Sequence, residues 1–335
     1  MVMAREYRSM AEVRQWLAPR LRDAAPLLFA QAEWFDALHR HCFADMPVRV
    51  AMAAEGGAEV WLFLHDRGER KAGALANWYS FSWAPLFLGN PDERTQARLL
   101  ERVAAELLRD CAQIDLYPLE ESGAVLAALR KAGWFAVTRA MGGRHVLDVQ
   151  GRSFDRYWAG RPGRLRELVR RRGRDRPFEY AVHHELTDGL WRDYEAVHAA
   201  SWKEPEPEGG LALLREIAGR ESAAGRLRIG FARQGERAVA AQLWTLDGDC
   251  ALIHKLCHDA AFDAQSPGTL LSHSMFAHAI DTDRVARIDY GTGDNAYKSD
   301  WMERRIPLHR VDAFNPRFAS AWLPAARAAI SALVG

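Results

Sequence analysis

The residues with the most capacity for chemistry lie between Ser266 and Trp301, SPGTLLSHSMFAHAIDTDRVARIDYGTGDNAYKSDW. Ser266 is a capping type, and Pro267 suits a first helical position, where its missing N–H costs nothing. The amides of Gly268 and Thr269 then stand at the positive end of a helix reaching Asp281, where they can hold an anion. Gln265 sits just before this turn. A short strand, Arg287 to Tyr290, comes next, and Asp289, Tyr290, Asp294, Tyr297 and Lys298 gather at its C-terminal end. Ligands favour that end of an open α/β sheet. Strand, amide-rich turn, helix and second strand together make a site for a phosphate-bearing cofactor beside a parallel strand pair. Lys298 suits a phosphate or an acidic acceptor. Asp289 also suits a plain turn role, capping the amides of Gly291 and Gly293.

Upstream, the strand Cys250 to Cys257 carries His254, with His258 on the same face at a period of two. Cys257 falls on the opposite face and no CxxC pair follows, so no metal is expected. Nothing near Cys257 would activate a thiolate. No G-x-S-x-G elbow and no P-loop lysine motif is present. The run Arg161 to Arg176, RPGRLRELVRRRGRDR, is the strongest local charge feature. It suits an RNA backbone, an anionic glycan, a carrier phosphate or simply a solvated helix face.

These residues need a scaffold of two α/β halves. In the first, Ala11 to Leu21 and Glu33 to His41 have helical spacing. Val60 to Leu64 and the aromatic-rich Ala72 to Trp83 read as strands, and Asp92 to Cys111 as an amphipathic helix. Gln113 to Tyr117 is a strand and Ser122 to Ala132 a helix. Phe135 to Thr138 and His145 to Val149 read as a β-pair. The second half starts with a helix over Phe154 to Arg172 and another over Leu190 to Trp202. The loop EPEPEGG, Glu204 to Gly210, leads to a helix over Leu211 to Gly219. A hairpin joins Leu227 to Ala232 with Ala238 to Leu246 across Gln234-Gly235-Glu236. The strand Cys250 to Cys257, the Ser266 helix and the strands Arg287 to Tyr290 and Leu308 to Phe314 complete it. Ile114-Asp115-Leu116-Tyr117 and Ile288-Asp289-Tyr290 make an internal duplication plausible. The boundary is expected near Gly151, giving units 1–150 and 151–335; one large α/β domain is the alternative.

With 335 residues, 49% of them hydrophobic, the chain is long enough for two ordinary cores. Lys and Arg number 45 against 44 Asp and Glu, net +1, which argues against a dedicated nucleic-acid binder. Cys42, Cys111, Cys250 and Cys257 are spread as reduced, buried thiols are, rather than as a disulfide framework. The start, MVMAREYRSMAEVRQWL, has no signal-peptide core, and no stretch of about 18 uncharged apolar residues predicts a membrane span. A cytoplasmic protein is expected.

The order SPG, hydrophobic helix, IDYGTGD and YKSDW resembles the Fem-like branch of the GNAT N-acyltransferases, which includes the cellulose and exopolysaccharide acetyltransferases. It covers roughly the last 190 residues. Gln265 to Leu270 resembles the start of the GNAT pyrophosphate loop, departing at Leu270, where that pattern has a small residue. The resemblance implies an α/β fold of two tandem GNAT-like units, each a mostly antiparallel sheet with a central parallel strand pair flanked by helices. The first unit has no SPG turn and is expected to be structural or acceptor-binding. An acyl group would pass from acyl-CoA or an acyl-carrier phosphopantetheine to a small-molecule, glycan or peptide amine, with an acyl-carrier protein as a possible partner. Gln265, Ser266, Gly268, Thr269 and Lys298 would hold the carrier. A base must take a proton from the amine, and His254 is the candidate. Tyr297, with Tyr290 in reserve, would protonate the departing thiolate. Trp202 and Lys203 match a Trp-Lys pair facing the acceptor, and Asp289 and Asp294 complete the substrate side. The alternatives are transfer from aminoacyl-tRNA, for which the Arg161 to Arg176 run speaks, and a silent binding module of the same fold.

Overall fold

The computed structural model describes residues 3–21, 27–201, 205–293 and 296–334. They divide into two compact units, Met1–Gly143 with Pro307–Gly335, and Arg144–Ile306. The boundary thus falls earlier than Gly151. The C-terminal stretch, expected with the second half, packs with the first because its strand finds a hydrogen-bonding partner there.

The chain enters the first unit through β1 (Met3–Tyr7), α1 (Met10–Leu21), α2 (Ala32–Cys42), β2 (Val48–Glu55), β3 (Ala58–Asp66), β4 (Lys71–Ala74), β5 (Leu86–Leu88), α3 (Glu93–Leu107), β6 (Gln113–Leu119), α4 (Gly123–Lys131) and the start of β7 (Phe135–Asp148). The second unit takes the end of β7, then α5 (Phe154–Ala159), α6 (Gly163–Arg172), β8 (Glu179–His183), α7 (Asp188–Ala199), α8 (Gly210–Ala223), β9 (Leu227–Gln234), β10 (Arg237–Asp247), β11 (Cys250–His258), α9 (Pro267–Ala277), β12 (Arg287–Thr292) and α10 (Ala296–Trp301). The chain then returns to the first unit along β13 (Arg304–Phe314) and α11 (Trp322–Val334).

In the first unit the strands run β1-β2-β3-β4-β6-β13, with β5 beside β3. Among the described pairings β4 and β6 are parallel, with Lys71, Ala72 and Gly73 opposite Gln113, Ile114 and Asp115. Helix α3 starts where Asp92 accepts a hydrogen bond from the Thr95 amide, a side-chain cap for an otherwise orphan donor. It buries Leu99, Leu100, Val103 and Leu107 at helical spacing. The expected strand Ala72 to Trp83 stops at Ala74. Its aromatics belong instead to a buried loop, where Tyr79, Phe81 and Trp83 are at most 4% exposed. The Trp83 amide donates to Pro118 O (2.6 Å) and its indole N–H to Phe63 O (2.9 Å).

In the second unit the order is β7-β12-β11-β10-β9-β8, and among the described residues only β11 and β12 are parallel. Trp244, Phe276, Tyr157, Leu271 and Ile288 fill the core. The single helix expected over Phe154 to Arg172 is two, α5 and α6, because Gly160 ends one and Pro162 starts the other with an extended backbone. The β-pair expected over Phe135 to Val149 is one continuous strand. Each unit is therefore a mostly antiparallel sheet with one parallel pair and flanking helices. Among the described residues no helix is long and apolar enough to cross a membrane.

Candidate functional site

The second unit's parallel pair is short. Cys250, Ala251 and Leu252 lie opposite Arg287, Ile288 and Asp289, and there the ladder ends. Beyond Leu252, β11 continues to His258 paired with β10, while β12 passes a register shift and pairs Thr292 with Arg144 of β7. Residues 253–258 thus lie past the end of the parallel ladder. A six-residue helical turn, Ala260–Gln265, carries the chain from β11 to the start of α9.

At that start Ser266 is left-handed (φ 56°) and makes no side-chain capping bond, so the expected serine cap is replaced by Pro267 at the first position. The amides of Gly268 and Thr269 fall in the first turn, which has no intrahelical acceptors for them. Gly268 has a steric reason to be glycine, because a Cβ there would lie 3.0 Å from His258 Nδ1. His258 in turn meets Asp263 (Nε2 to Oδ1, 2.6 Å). Gln265 is half-buried just before this turn. Leu270 turns into the core, 4% exposed, toward Gly173, and so does not cover the amides.

Behind the turn a polar chain leads toward Tyr297. The Trp244 indole donates to Gln242 Oε1 (2.9 Å), and Gln242 Nε2 donates to Ser272 Oγ (2.7 Å). Ser272 donates to Gly268 O (3.0 Å) and shares a hydrogen bond with the Tyr290 phenol, which also bonds to Tyr297. Tyr290 is buried and Tyr297 is 41% exposed, with their rings edge to face. Burial raises both phenols above the usual tyrosine range, so both carry their protons at neutral pH.

Three expected roles change. Lys298 cannot meet a carrier phosphate, because its ammonium is buried and donates to Tyr290 O (3.0 Å) and Thr292 O, shaping the turn after β12. Asp289 is 1% exposed, accepts the Gly291 amide (2.8 Å) and meets Arg144 Nε (3.0 Å), so its carboxylate faces the interior rather than a substrate. His254 contacts Thr245 Oγ1 through Nε2 (2.8 Å). Although the residue keeps some solvent contact, burial of its imidazole drops the pKa to about 3, helped by Lys255 and Arg220. A group that holds a proton so weakly makes a poor base at neutral pH. Trp202, Lys203 and Asp294 lie outside the described residues.

A second cluster went unread in the sequence. Lys255, on β11 past the end of the parallel ladder, meets Glu206 Oε1 (2.6 Å), and His198 at the end of α7 approaches the same oxygen (3.4 Å). The Glu206 and His198 side chains are less than a tenth exposed. Glu206 belongs to the EPEPEGG loop, where it is one acidic residue among several, and only the fold brings its two partners to it. Among the described residues no group of three or more side chains could hold a metal ion.

Residues 163–299 match the family model of an acetyltransferase (GNAT) domain. No curated protein matches the chain in sequence. Among solved structures, FemX superposes with a TM-score of 0.60 at 9% identity, covering 95% of this chain and 98% of its own. L-PGS from Bacillus licheniformis gives 0.55 at 10% identity, covering 92% and 98%. A tandem GNAT protein from the clavulanic acid biosynthesis pathway gives 0.50 at 13% identity, covering 93% and 98%. At these identities the likeness is one of fold.

Proposed function

We propose a donor and a mechanism for a chain that carries a GNAT acetyltransferase domain and is an acyltransferase: it moves an acyl group from a thioester of coenzyme A or phosphopantetheine to an amine by direct attack. The observation that carries this reading is the parting of β11 from β12 directly before a helix whose first-turn amides belong to Gly268 and Thr269. Carrier phosphates fit those amides, and the pantetheine arm fits the strand edge at residues 253–258. The tandem architecture shared with the clavulanic acid pathway protein and FemX supports this reading at the level of fold.

The amine nitrogen attacks the thioester carbonyl carbon, and the carbon–sulfur bond breaks. Glu206, whose carboxylate meets His198 and Lys255 at one oxygen, takes the proton that the amine sheds. Lys255 holds the carboxylate in place. Main-chain N–H groups along β11 stabilise the developing oxyanion. Tyr297, protonated at neutral pH, gives its proton to the departing sulfur, and Tyr290 behind it fixes the phenol's direction. Titration calorimetry with acetyl-CoA and with an acyl-loaded carrier protein tests the donor. Saturable heat with either supports the reading, and no heat with both removes it.

One observation favours a second reading, transfer from aminoacyl-tRNA. Arg171, Arg172, Arg174 and Arg176 are exposed and make no ion pair among the described residues. Binding of charged tRNA that weakens steeply with salt, without acyl-CoA binding, would favour it.

A further inference from the structure

Between α6 and α9 the second unit holds a trough of about 620 Å³, within the usual range of small-molecule sites. Its α9 wall is Leu270, His273, Ser274 and Ala277, one face of the helix over eight residues, a run of about 10 Å. Val169 and the buried Phe178 continue the apolar floor from the other side. Arg174 and Arg176 stand at the rim, both exposed and without an ion pair among the described residues, while Arg170 there is held by Glu167. The trough lies along the body of α9, past the first-turn amides assigned to the carrier, and none of its lining belongs to the Tyr290 or Glu206 clusters.

Apolar floor and cationic rim are separate observations with one complement. A ligand that is only charged would leave the floor wet, and one that is only apolar would leave two guanidinium groups without partners. An elongated floor between two helices takes a flexible chain, and guanidinium forks at the rim take a carboxylate or phosphate. We propose that this trough is a second binding site, for a monomeric single-chain amphiphile with an anionic head, the head on Arg174 and Arg176 and the alkyl chain along Val169, Phe178, Leu270 and Ala277.

Calorimetry on the full chain tests this with four probes: decyl phosphate below its micelle concentration, decanol, inorganic phosphate, and vesicles of phosphatidylglycerol. Decyl phosphate is expected to bind saturably, and decanol and phosphate each far more weakly. The exposed double variant Arg174→Gln/Arg176→Gln should weaken decyl phosphate by more than about tenfold, the scale of a lost charge-assisted hydrogen bond. Ser274→Trp, which fills the trough from its half-buried wall, should weaken it while leaving the arginines in place. Equal binding of decanol, or of phosphate alone, overturns the proposal, as does binding to vesicles without binding to the monomer. An RNA oligomer that displaces decyl phosphate would make the rim a polyanion surface instead. Displacement by acetyl-CoA would place the trough in the carrier site, and undiminished acetyl-CoA binding by the arginine double variant supports two separate sites.

Discussion

The molecule contains two parallel strand pairs with the same register and opposite surroundings. In the first unit Gly73 lies opposite Asp115, and in the second Leu252 lies opposite Asp289, each the third and last pair of its ladder. Past that point in the second unit the two strands no longer pair, and β11 leads to the start of α9. Past the same point in the first unit, the chain folds back. Trp83 binds the main chain at Pro118, and Tyr79 and Phe81 are buried beside it. The two aspartates differ to match. Asp289 is sealed against Arg144 and a glycine amide, whereas Asp115 meets Arg67 and Arg310, of which Arg67 is half exposed. A shared scaffold therefore does not by itself make the proposed carrier site. The segment after the ladder decides it, being either a helix whose first amides are unclaimed or a wad of aromatic side chains.

The comparison breaks most directly at the plug. Trp83→Ala should cost about 3–5 kcal/mol, the range for a large aromatic removed from a core, read by chemical denaturation. It should leave acyl transfer per folded molecule unchanged, and a lost activity at full folding would mean that the first unit's pair takes part in catalysis. Arg144→Gln strands the Asp289 carboxylate in the interior and should cost about 3 kcal/mol in the same measurement. Tyr297→Phe should lower kcat about 100-fold with little change in KM, equal to about 2.7 kcal/mol in the transition state. An unchanged kcat would move the acid role elsewhere.

Acid titration probes both units at once. Burial lowers His65 in the first to about 4 and His254 in the second to about 3, against 6.5 when unfolded. Between those values the unfolded chain binds more protons, so stability should fall as pH drops from about 6.5, by at most about 1.4 kcal/mol per pH unit for each histidine. His65→Gln and His254→Gln should each flatten that slope, and a slope unchanged in both would remove burial as its cause. Arg67→Gln is the smallest change, at under about 1 kcal/mol, because its partnership with Asp115 is largely solvated. A cost equal to that of Arg144→Gln would erase the distinction between the two aspartates.

Local signals make the scaffold legible. Proline at a helix start, glycine beside it, and the repeated Ile-Asp before a turn each act over a few residues, and together they reveal the α9–β12 segment. The duplicated parallel pair is visible in Ile114-Asp115 and Ile288-Asp289. The aromatics of residues 78–83 mislead, since strands and buried loops both use them, and only the bond from Trp83 to Pro118 decides. Lys298 and Asp289 resemble ligand groups in the sequence because charge usually faces outward, and burial reverses that. Glu206 acquires its meaning from Lys255, 49 positions away, and His198, contacts that no periodicity encodes. Ser272 is within reach of a sequence reading, for it stands four residues after Gly268 and so on the same helical face.

The return of residues 307–334 to the first unit sets an order on biosynthesis. Every other strand and helix of the second unit is synthesised before β13, the partner of β6. The N-terminal body must therefore wait, with β6 lacking that neighbour, while the later body assembles, and a chain interrupted at residue 306 would yield a second unit with all its own elements attached to an unfinished first one.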